Sequence, residues 1–510
     1  MGDVFCSYYT KNSNITSYMV SMISPNQDDH ILEPCGGDGI FIDALLNYYP
    51  DLHIDTCDLD KTAVQAMQSK YSVLKNVSIR QTDTLTDALF DFYSGMGFYD
   101  KIIGNPPYGG WQEYDRRAEL KQKYKGFYVK ETYSLFLLRC VSLLKENGVL
   151  SFIIPDTFLY LHNHKQLRKF LLENTIIKEI VIFPSKFFPG VSFRYSNLCI
   201  ITVQKEELGS DKNGNSISVI KGLKSDEELA KLSTGMRDDV VTKRLLQKDI
   251  FNNQDFAFFI GDENTNHSIV TSECRLADLA DCVTGIYTGD NKKFLAIECG
   301  NQREVSGYPS ISEDDIEYSH QSIQPIEFPR KYIPIVKGSS STSYFRTADK
   351  WLIEWTPSAI KHYTNDKKAR FQNSNYYFRS GVAVPMVKSS KIKATIMSGN
   401  VFDQSVVGVF PKDDKHLLYL LAFLNSSIAN EYIHIINPTA NNSANYLKKL
   451  PIYIPTESEL QDIDDWVTAI LESRSSNQYQ QWIDSFFEGR LKNKLCKIHA
   501  WQQKVPSTAH

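Results

Sequence analysis

The stretch HILEPCGGDGIFIDALL, His30 to Leu46, decides the fold. It opens as an apolar, β-prone run, turns through glycines at 36, 37 and 39, and closes with the apolar spacing of a helix. A strand that passes through glycines into a helix is the opening unit of a doubly wound sheet, and such a turn lets the backbone approach a bound small molecule closely. The dinucleotide pattern G-x-G-x-x-G is not met, because Phe41 and Ile42 stand where the third glycine would be expected. Taken alone, the stretch reads equally as a plain strand-to-helix turn or as a small-molecule site in which a pyrophosphate is not favoured.

The flanking sequence repeats the strand and helix alternation. LHIDTCDLD is a strand ending in acids, KTAVQAMQSKY a helix, VSIRQTD and DKIIGN two further strands, TYSLFLLRCVSLLKENG a helix stopped by Gly148, and VLSFIIP a strand. This succession predicts an α/β class with a doubly wound, mostly parallel sheet. Asp58 and Asp83 then end the two strands that follow the glycine turn. A carboxylate at Asp58 suits ribose hydroxyls, and one at Asp83 can accept from an adenine amino group. Three successive strand ends bearing Gly, Asp and Asp on one rim favour an adenosine site. At KEELGSDKNGNS, Lys205 to Ser216, the composition turns polar and the alternation is lost. The expected domains are therefore residues 1–210 and 211–510, the second a mixed α+β unit with strands in KYIPIVKG and WLIEW and helix in KHLLYLLAFLNSSIANEYI.

On the same rim, YDKIIGNPPYGGW, Tyr99 to Trp111, ends a strand with Asn105, two prolines and Tyr108. Proline rings fix φ near −65° and restrict the preceding residue, so the loop offers two stiff acceptors, the Asn105 side-chain oxygen and the Pro106 carbonyl. A planar exocyclic amine has two N–H donors to match them. Such an amine is a poor nucleophile because its lone pair is delocalised; holding both N–H groups favours a more tetrahedral nitrogen that can attack a sulfonium methyl group. No general base with a tuned pKa is needed before attack. The Tyr108 ring offers a face for stacking a base, worth about 1–3 kcal/mol.

These motifs resemble the N6-adenine DNA methyltransferases of restriction–modification systems, in particular the gamma group, in which cofactor region, catalytic motif and target-recognition domain follow in that order. NPPY matches the catalytic tetrad, EPCGGDGIF looks like the cofactor motif, and YYTKNSNITSYMV, Tyr8 to Val20, is similar to the segment that precedes it. The resemblance implies a Rossmann-like methyltransferase sheet followed by a target-recognition domain, with S-adenosyl-L-methionine as cofactor. It implies Asn105, Pro106 and Tyr108 as catalytic residues, with Thr10 and Glu33 at the methionine end and Cys35 and Gly37 in the cofactor turn. Asp58 would take the ribose, Asp83 the adenine amino group, and Phe136 in ETYSLFLLRC would pack on the cofactor adenine. Phe188 in FFPGVSFRYSNLCI would stack on the flipped target base opposite Tyr108. Thr84 follows the Asp83 position where relatives often carry a bulkier residue. GIYTGDNKKFL, YIPIVKG, WLIEW and LAFLNSSIANEYI with LKKLPIYIP match the recognition domain in order.

The 510-residue chain has a net charge of −4, so a nucleic-acid surface has to be a local basic patch. WQEYDRRAELKQKYKGFYVK supplies one, with Arg116, Arg117, Lys121 and Lys123 as backbone candidates among tyrosines; NDKKARFQNSNYYFR and VKSSKIKA supply others. The expected partner is double-stranded DNA, whose target adenine must be flipped out to reach the loop, with a separate cognate restriction endonuclease as a further partner. Nine scattered cysteines without a C-x-x-C pair suggest neither a metal site nor disulfides, and no apolar run approaches membrane-span length. A cytoplasmic, nucleoid-associated monomer without an appended nuclease is expected. LHNHK, Leu161 to Lys165, invites a nuclease reading, but a local string of this kind does not make the metal-binding unit of that name. Cytosine N4, an RNA base or a protein glutamine are alternative amines, and a non-catalytic specificity subunit is the alternative outside enzymes.

Overall fold

The computed structural model describes residues 10–109, 114–188, 197–206, 214–237, 240–300, 307–338, 340–346, 350–387, 391–439, 441–473 and 477–492. The chain forms two compact units, Met1–Ile260 and Gly261–His510.

In the first unit, β1 (His30–Glu33), β2 (His53–Asp58), β3 (Val77–Gln81), β4 (Tyr99–Gly104), β5 (Leu144–Pro155), β6 (Thr175–Pro184), β7 (Asn197–Lys205), β8 (Ser216–Lys221) and β9 (Val241–Leu246) form one sheet in the order β3-β2-β1-β4-β5-β7-β6-β8-β9. Strands β1 to β5 are parallel; β7 runs antiparallel between β5 and β6, β8 is parallel to β6, and β9 is antiparallel to β8. The doubly wound expectation holds, and the order reverses at β1, whose neighbours are β2 and β4. That reversal opens a crevice at the carboxyl ends of the strands.

Helices α1 (Ser13–Ile23), α2 (Ile40–Tyr48), α3 (Lys61–Lys70), α4 (Ala88–Tyr93), α5 (Tyr114–Lys123), α6 (Thr132–Leu143) and α7 (Lys165–Asn174) complete the described wrapping of this part of the sheet. Their starts follow from local chemistry: Asn12, Asp60 and Asp87 each accept from backbone N–H groups of the first turns of α1, α3 and α4. One apolar core, from Ile15 to Phe258, runs through the unit. Helix α6 stops at Leu143, before Gly148, because Leu144 already pairs with Tyr99 and the strand then bulges through Asn147 at φ 63°.

The boundary expected at 210/211 is corrected by this sheet. Strands β8 and β9 continue it, with Ile217, Val219 and Ile220 buried in the same core, so the unit closes at Ile260. The polar run near Lys205–Ser216 is a connection inside the sheet; its residues 207–213 lie outside the described residues.

The second unit is mixed α+β, as expected. It holds a four-stranded sheet of Ala280–Thr284, Val406–Pro411, Gly381–Pro385 and Thr395–Met397 in that spatial order. A five-stranded sheet follows the order Ser310–Ile311, Leu295–Glu298, Trp351–Glu354, Tyr332–Val336 and Val401–Phe402. Trp355, Phe402 and Phe410 lie in a shared core. The run expected as helix over 415–433 is two helices, Leu417–Asn425 and Ser427–Ile436, parted at Ser426, whose hydroxyl caps the second. No helix among the described residues is long and apolar enough to cross a membrane.

Candidate active site

Four adjacent strand ends bring the residues expected at the site together. Along β3-β2-β1-β4 the rim presents Asp83, Asp58, then Glu33 with the glycine turn, then Asn105. Two adjoining cavities occupy it. Thr10, Glu33, Cys35, Gly37, Asp58, Asn105 and Pro107 line one; Cys35, Asp58, Asp83, Thr84, Pro107, Arg116 and Phe136 line the other. Cys35, Asp58 and Pro107 are common to both, so the cleft is continuous from the Asn-Pro-Pro-Tyr loop to Asp83.

Backbone geometry builds the turn. Gly37 and Gly39 take φ of 54° and 79°, the left-handed region that glycine enters at little cost. Gly36 is needed for room: a Cβ there would lie 2.4 Å from Thr56 Oγ1 and 2.6 Å from Met67 Sδ. The Gly37 N–H donates to Asp58 Oδ2 at 2.9 Å and the Asp60 N–H to Asp58 Oδ1 at 2.9 Å, which fixes the carboxylate at the mouth of the turn. Burial raises the Asp58 pKa against those two bonds.

Glu33 is 1% exposed, and its Oε2 has no hydrogen-bond partner among the described residues. Burial first, then Asp38 and Asp58, pushes its pKa well above the carboxylate range. Lys70 opposes this only weakly, and a buried acid surrounded mainly by like charge is a costly arrangement unless a cationic or donor group arrives. The donor set therefore suits a ligand with a positive end near Glu33 and hydroxyls near Asp58.

At the Asn-Pro-Pro-Tyr loop, the Asn105 amide nitrogen donates to Thr10 Oγ1 at 3.1 Å, which fixes the plane of the side chain. Thr132 Oγ1 donates to the Pro107 carbonyl at 2.6 Å. Tyr108 and Phe188 are buried, 1% and 4% exposed, and line neither cavity. Phe188 lies nearly parallel to Phe183, ring centroids 6.4 Å apart; residues 189–196 are outside the described residues.

Arg116, a backbone candidate by sequence, instead reaches into the Asp83 side of the cleft and pairs with Asp83 Oδ2 at 3.0 Å. Asp83 Oδ1 accepts from the Leu85 N–H at 3.0 Å. Thr84, on the wall of the same cavity, donates its hydroxyl to the Pro34 carbonyl at 2.6 Å, tying the two loops together. Lys123 pairs with Asp91 at 2.7 Å, which also takes the buried Arg139. Lys121 stays exposed on α5 and Arg117 is half-buried. Of the loop before α5, residues 110–113 lie outside the described residues. The histidines of LHNHK go to different acids, His162 to Asp255 and His164 to Glu131. Sequence reasoning missed Thr132 and Arg139; the signal for Arg139 was a single arginine inside the apolar helix TYSLFLLRCVSLL.

The second unit has its own charged edge. Tyr287 and Arg370 exchange backbone hydrogen bonds of 3.2 and 2.8 Å, and His362 Nε2 lies 2.9 Å from the Thr288 carbonyl. These bonds join segments 287–294 and 361–370, bringing exposed Lys292, Lys293, Lys361, Lys367, Lys368 and Arg370 to one edge against only Asp290 and Asp366. Asp290 is turned back on the Lys293 N–H and Asp366 on the Lys368 N–H. Within VKSSKIKA, residues 388–390 lie outside the described residues.

Residues 46–188 match the family model described as Eco57I restriction-modification methylase. The Type II methyltransferase M.HincII of Haemophilus influenzae is 30% identical over 187 residues, 35% of this chain and 34% of that protein. The adenine-specific methyltransferase BrxX of Escherichia coli O9:H4 (strain HS) is 23% identical over 367 residues, 69% of this chain and 28% of that protein. The match thus spans about a third of the length of these curated relatives. A nuclease-deletion mutant of the Type ISP restriction-modification enzyme LlaGI, solved with a DNA substrate mimic, shares the fold at TM-score 0.55 and 12% identity, covering 91% of this chain and 54% of that one.

Proposed function

We propose that this chain is a site-specific DNA methyltransferase that moves a methyl group from S-adenosylmethionine to the N6 amine of an adenine flipped out of duplex DNA, within a restriction–modification or related system. The observation that carries the reading is the shared cleft: Asn105 of the Asn-Pro-Pro-Tyr loop lines the same cavity as Glu33, Gly37 and Asp58. The unpartnered Glu33 and the glycine turn without room for a Cβ fit the cofactor's charged methionine end, and Asp58 fits its ribose. Asp83 and Phe136 would take the adenine, with Arg116 yielding its place. When bound, the cofactor supplies an electrophilic methyl on a sulfonium.

The chain's own residues do the rest. Asn105, its amide held by Thr10, presents its oxygen, and Pro106 its carbonyl, to the two N–H groups of the target amine. Holding both shifts the lone pair toward the methyl group; the proton is released after transfer. Tyr108 stacks on the extruded base, which requires it to leave its buried position, and Phe188 lies across from it in the family pattern. The adenine name carried by BrxX, and the methylase model over residues 46–188, favour adenine over cytosine N4, an RNA base or glutamine. The second unit is the target-recognition domain, with its basic edge on phosphates and base reading in the major groove. A cognate endonuclease on a separate chain, and action as a monomer on DNA, complete the reading.

The test is incubation with radiolabelled S-adenosylmethionine and, separately, genomic DNA, RNA and protein, followed by long-read mapping of the modified base. Label in DNA at N6-methyladenine within one short sequence is expected. Label only in RNA or protein, or at cytosine, refutes the reading.

A further inference from the structure

The catalytic loop has an unusual structural problem. Pro106 and Pro107 carry no N–H, so hydrogen bonds can hold them only through their carbonyls; ring closure sets φ at each, and ψ has to be set from outside. Side chains do this at both ends. Asn105 is tied to Thr10, and the Pro107 carbonyl accepts from the Thr132 hydroxyl at 2.6 Å. Just beyond, Gly109 passes at φ 122° so close to the start of α6 that a Cβ would lie 2.9 Å from Glu131 Cα and 3.0 Å from the Lys130 carbonyl.

Thr132 is 4% exposed, lines neither half of the cleft, and sits between two residues that are themselves anchored. Glu131 Oε2 lies 2.7 Å from His164 Nε2, and Tyr133 Oη lies 3.1 Å from the same nitrogen. His164 is 1% exposed and Tyr133 fully buried, and the Tyr133 hydroxyl also lies 3.2 Å from Thr157 Oγ1. The histidine that invited a nuclease reading thus braces the first turn of α6 from behind, while Thr132 faces the loop.

We propose that Thr132 is a positioning residue for methyl transfer: its hydroxyl sets ψ of Pro107, and so the direction from which Tyr108 meets the target base, with His164 holding the helix start through Glu131 and Tyr133. The inference rests on the reading of this loop as the methyl-transfer site. A half-buried carbonyl left without its donor is free to reorient, and a misplacement of about 1 Å at a reacting centre can cost on the order of 100-fold in rate.

The experiment compares Thr132→Val, which keeps the shape and removes the hydroxyl, with Thr132→Ser, which keeps the hydroxyl. Readouts are single-turnover methyl transfer to duplex DNA, the Kd of S-adenosylmethionine, and hydrogen exchange of the Tyr108 and Gly109 amides, the first exchangeable amides after the prolines. In Thr132→Val the rate should fall about 10- to 100-fold while cofactor Kd moves by less than about threefold. The two amides should exchange faster while β1 to β5 stay protected, and Thr132→Ser should restore both. A wild-type rate in Thr132→Val, or equal damage in Thr132→Ser, overturns the proposal. So does loss of protection across the whole sheet without selective loosening of the two amides. If the wild type does not methylate DNA but the valine variant still loosens those amides and serine restores them, the function reading fails while the loop anchor stands.

Discussion

The cleft of the first unit and the basic edge of the second are built by opposite means. The cleft is made of positions where the backbone leaves little choice: glycines with no room for a Cβ, prolines with no N–H, and strand-end carboxylates, Glu33 buried and Asp58 and Asp83 half-buried. The edge is made of exposed lysines and an arginine, each replaceable by another cation, from two segments far apart along the chain, 292–293 and 361–370. Removing one element of the cleft should therefore abolish a step. Removing one cation of the edge should only tilt an equilibrium.

The sharpest test of that contrast is Asn105→Ala, which takes away one of two acceptors while leaving the turn that carries the cofactor. Methyl transfer should fall by at least about 10²- to 10³-fold, the usual cost of deleting one preorganised group at a reacting centre. Cofactor affinity, measured by calorimetry, should stay within a few-fold. Near-normal turnover would sink the assignment of Asn105 and with it the idea that the cleft works all-or-none.

Next in size is Gly36→Ala. The added methyl meets Thr56 Oγ1 and Met67 Sδ inside the buried turn, an overpacking that costs about 1–3 kcal/mol. Melting should drop by several degrees and cofactor binding should fall with it. A variant that melts and binds like the wild type would show the turn to be looser than its packing indicates.

Glu33→Gln separates function from stability. The folded pKa of Glu33 lies above its unfolded value, so the folded chain binds the extra proton in the window between them. Stability is lost as pH rises from the unfolded value through the raised one, and stays reduced above it. Glutamine removes that loss. The variant should gain in Tm relative to wild type as pH is raised through this window, by about 2–4 °C per kcal/mol recovered, while binding S-adenosylmethionine more weakly. Equal Tm differences at every pH would refute the buried-acid account, and unchanged affinity would refute the role at the methionine end.

The same division explains what the sequence made legible. Gly36, Gly37, Asp58, Asp83 and Asn105, which the fold gathers along the cleft, were readable because turns and strand ends restrict residue types, whereas Pro106, expected beside them, lines neither cavity. Long side chains obey no such restriction: Arg116 left the surface of α5 for Asp83, 33 residues earlier, and only the folded chain shows that choice. Thr132 was hidden because its partner is a carbonyl, which every residue carries. The boundary at 210 misled because a polar, turn-rich connection has the same composition inside a sheet as between domains, and only the pairing of β8 with β6 tells them apart. At the edge, the bridge between Tyr287 and Arg370 joins Lys292 and Lys293, which the sequence did not mark as part of a basic patch, to the lysines of NDKKARFQNSNYYFR.

That bridge makes the smallest predicted effect the one that tests the contrast from the other side. If the edge lies on DNA phosphates, each of Lys367 and Lys368 that neutralises a phosphate releases a counterion, and the slope of log Kd against log salt changes by about 0.9 for each phosphate no longer neutralised. Replacing both by glutamine should reduce the slope by up to about two, whatever the duplex sequence, because phosphate pairing carries no base information. The weakening should appear in KM for DNA, with kcat at saturating DNA within about twofold. An unchanged slope would remove this edge from the DNA path, and a collapse of kcat would mean that the second unit shares in the chemistry. Lys361, exposed on the helix beside the bridged strand, should add to the pair by the same increment if the edge acts as a continuous charged surface. Additivity across all three is the signature of an edge that holds DNA by charge alone.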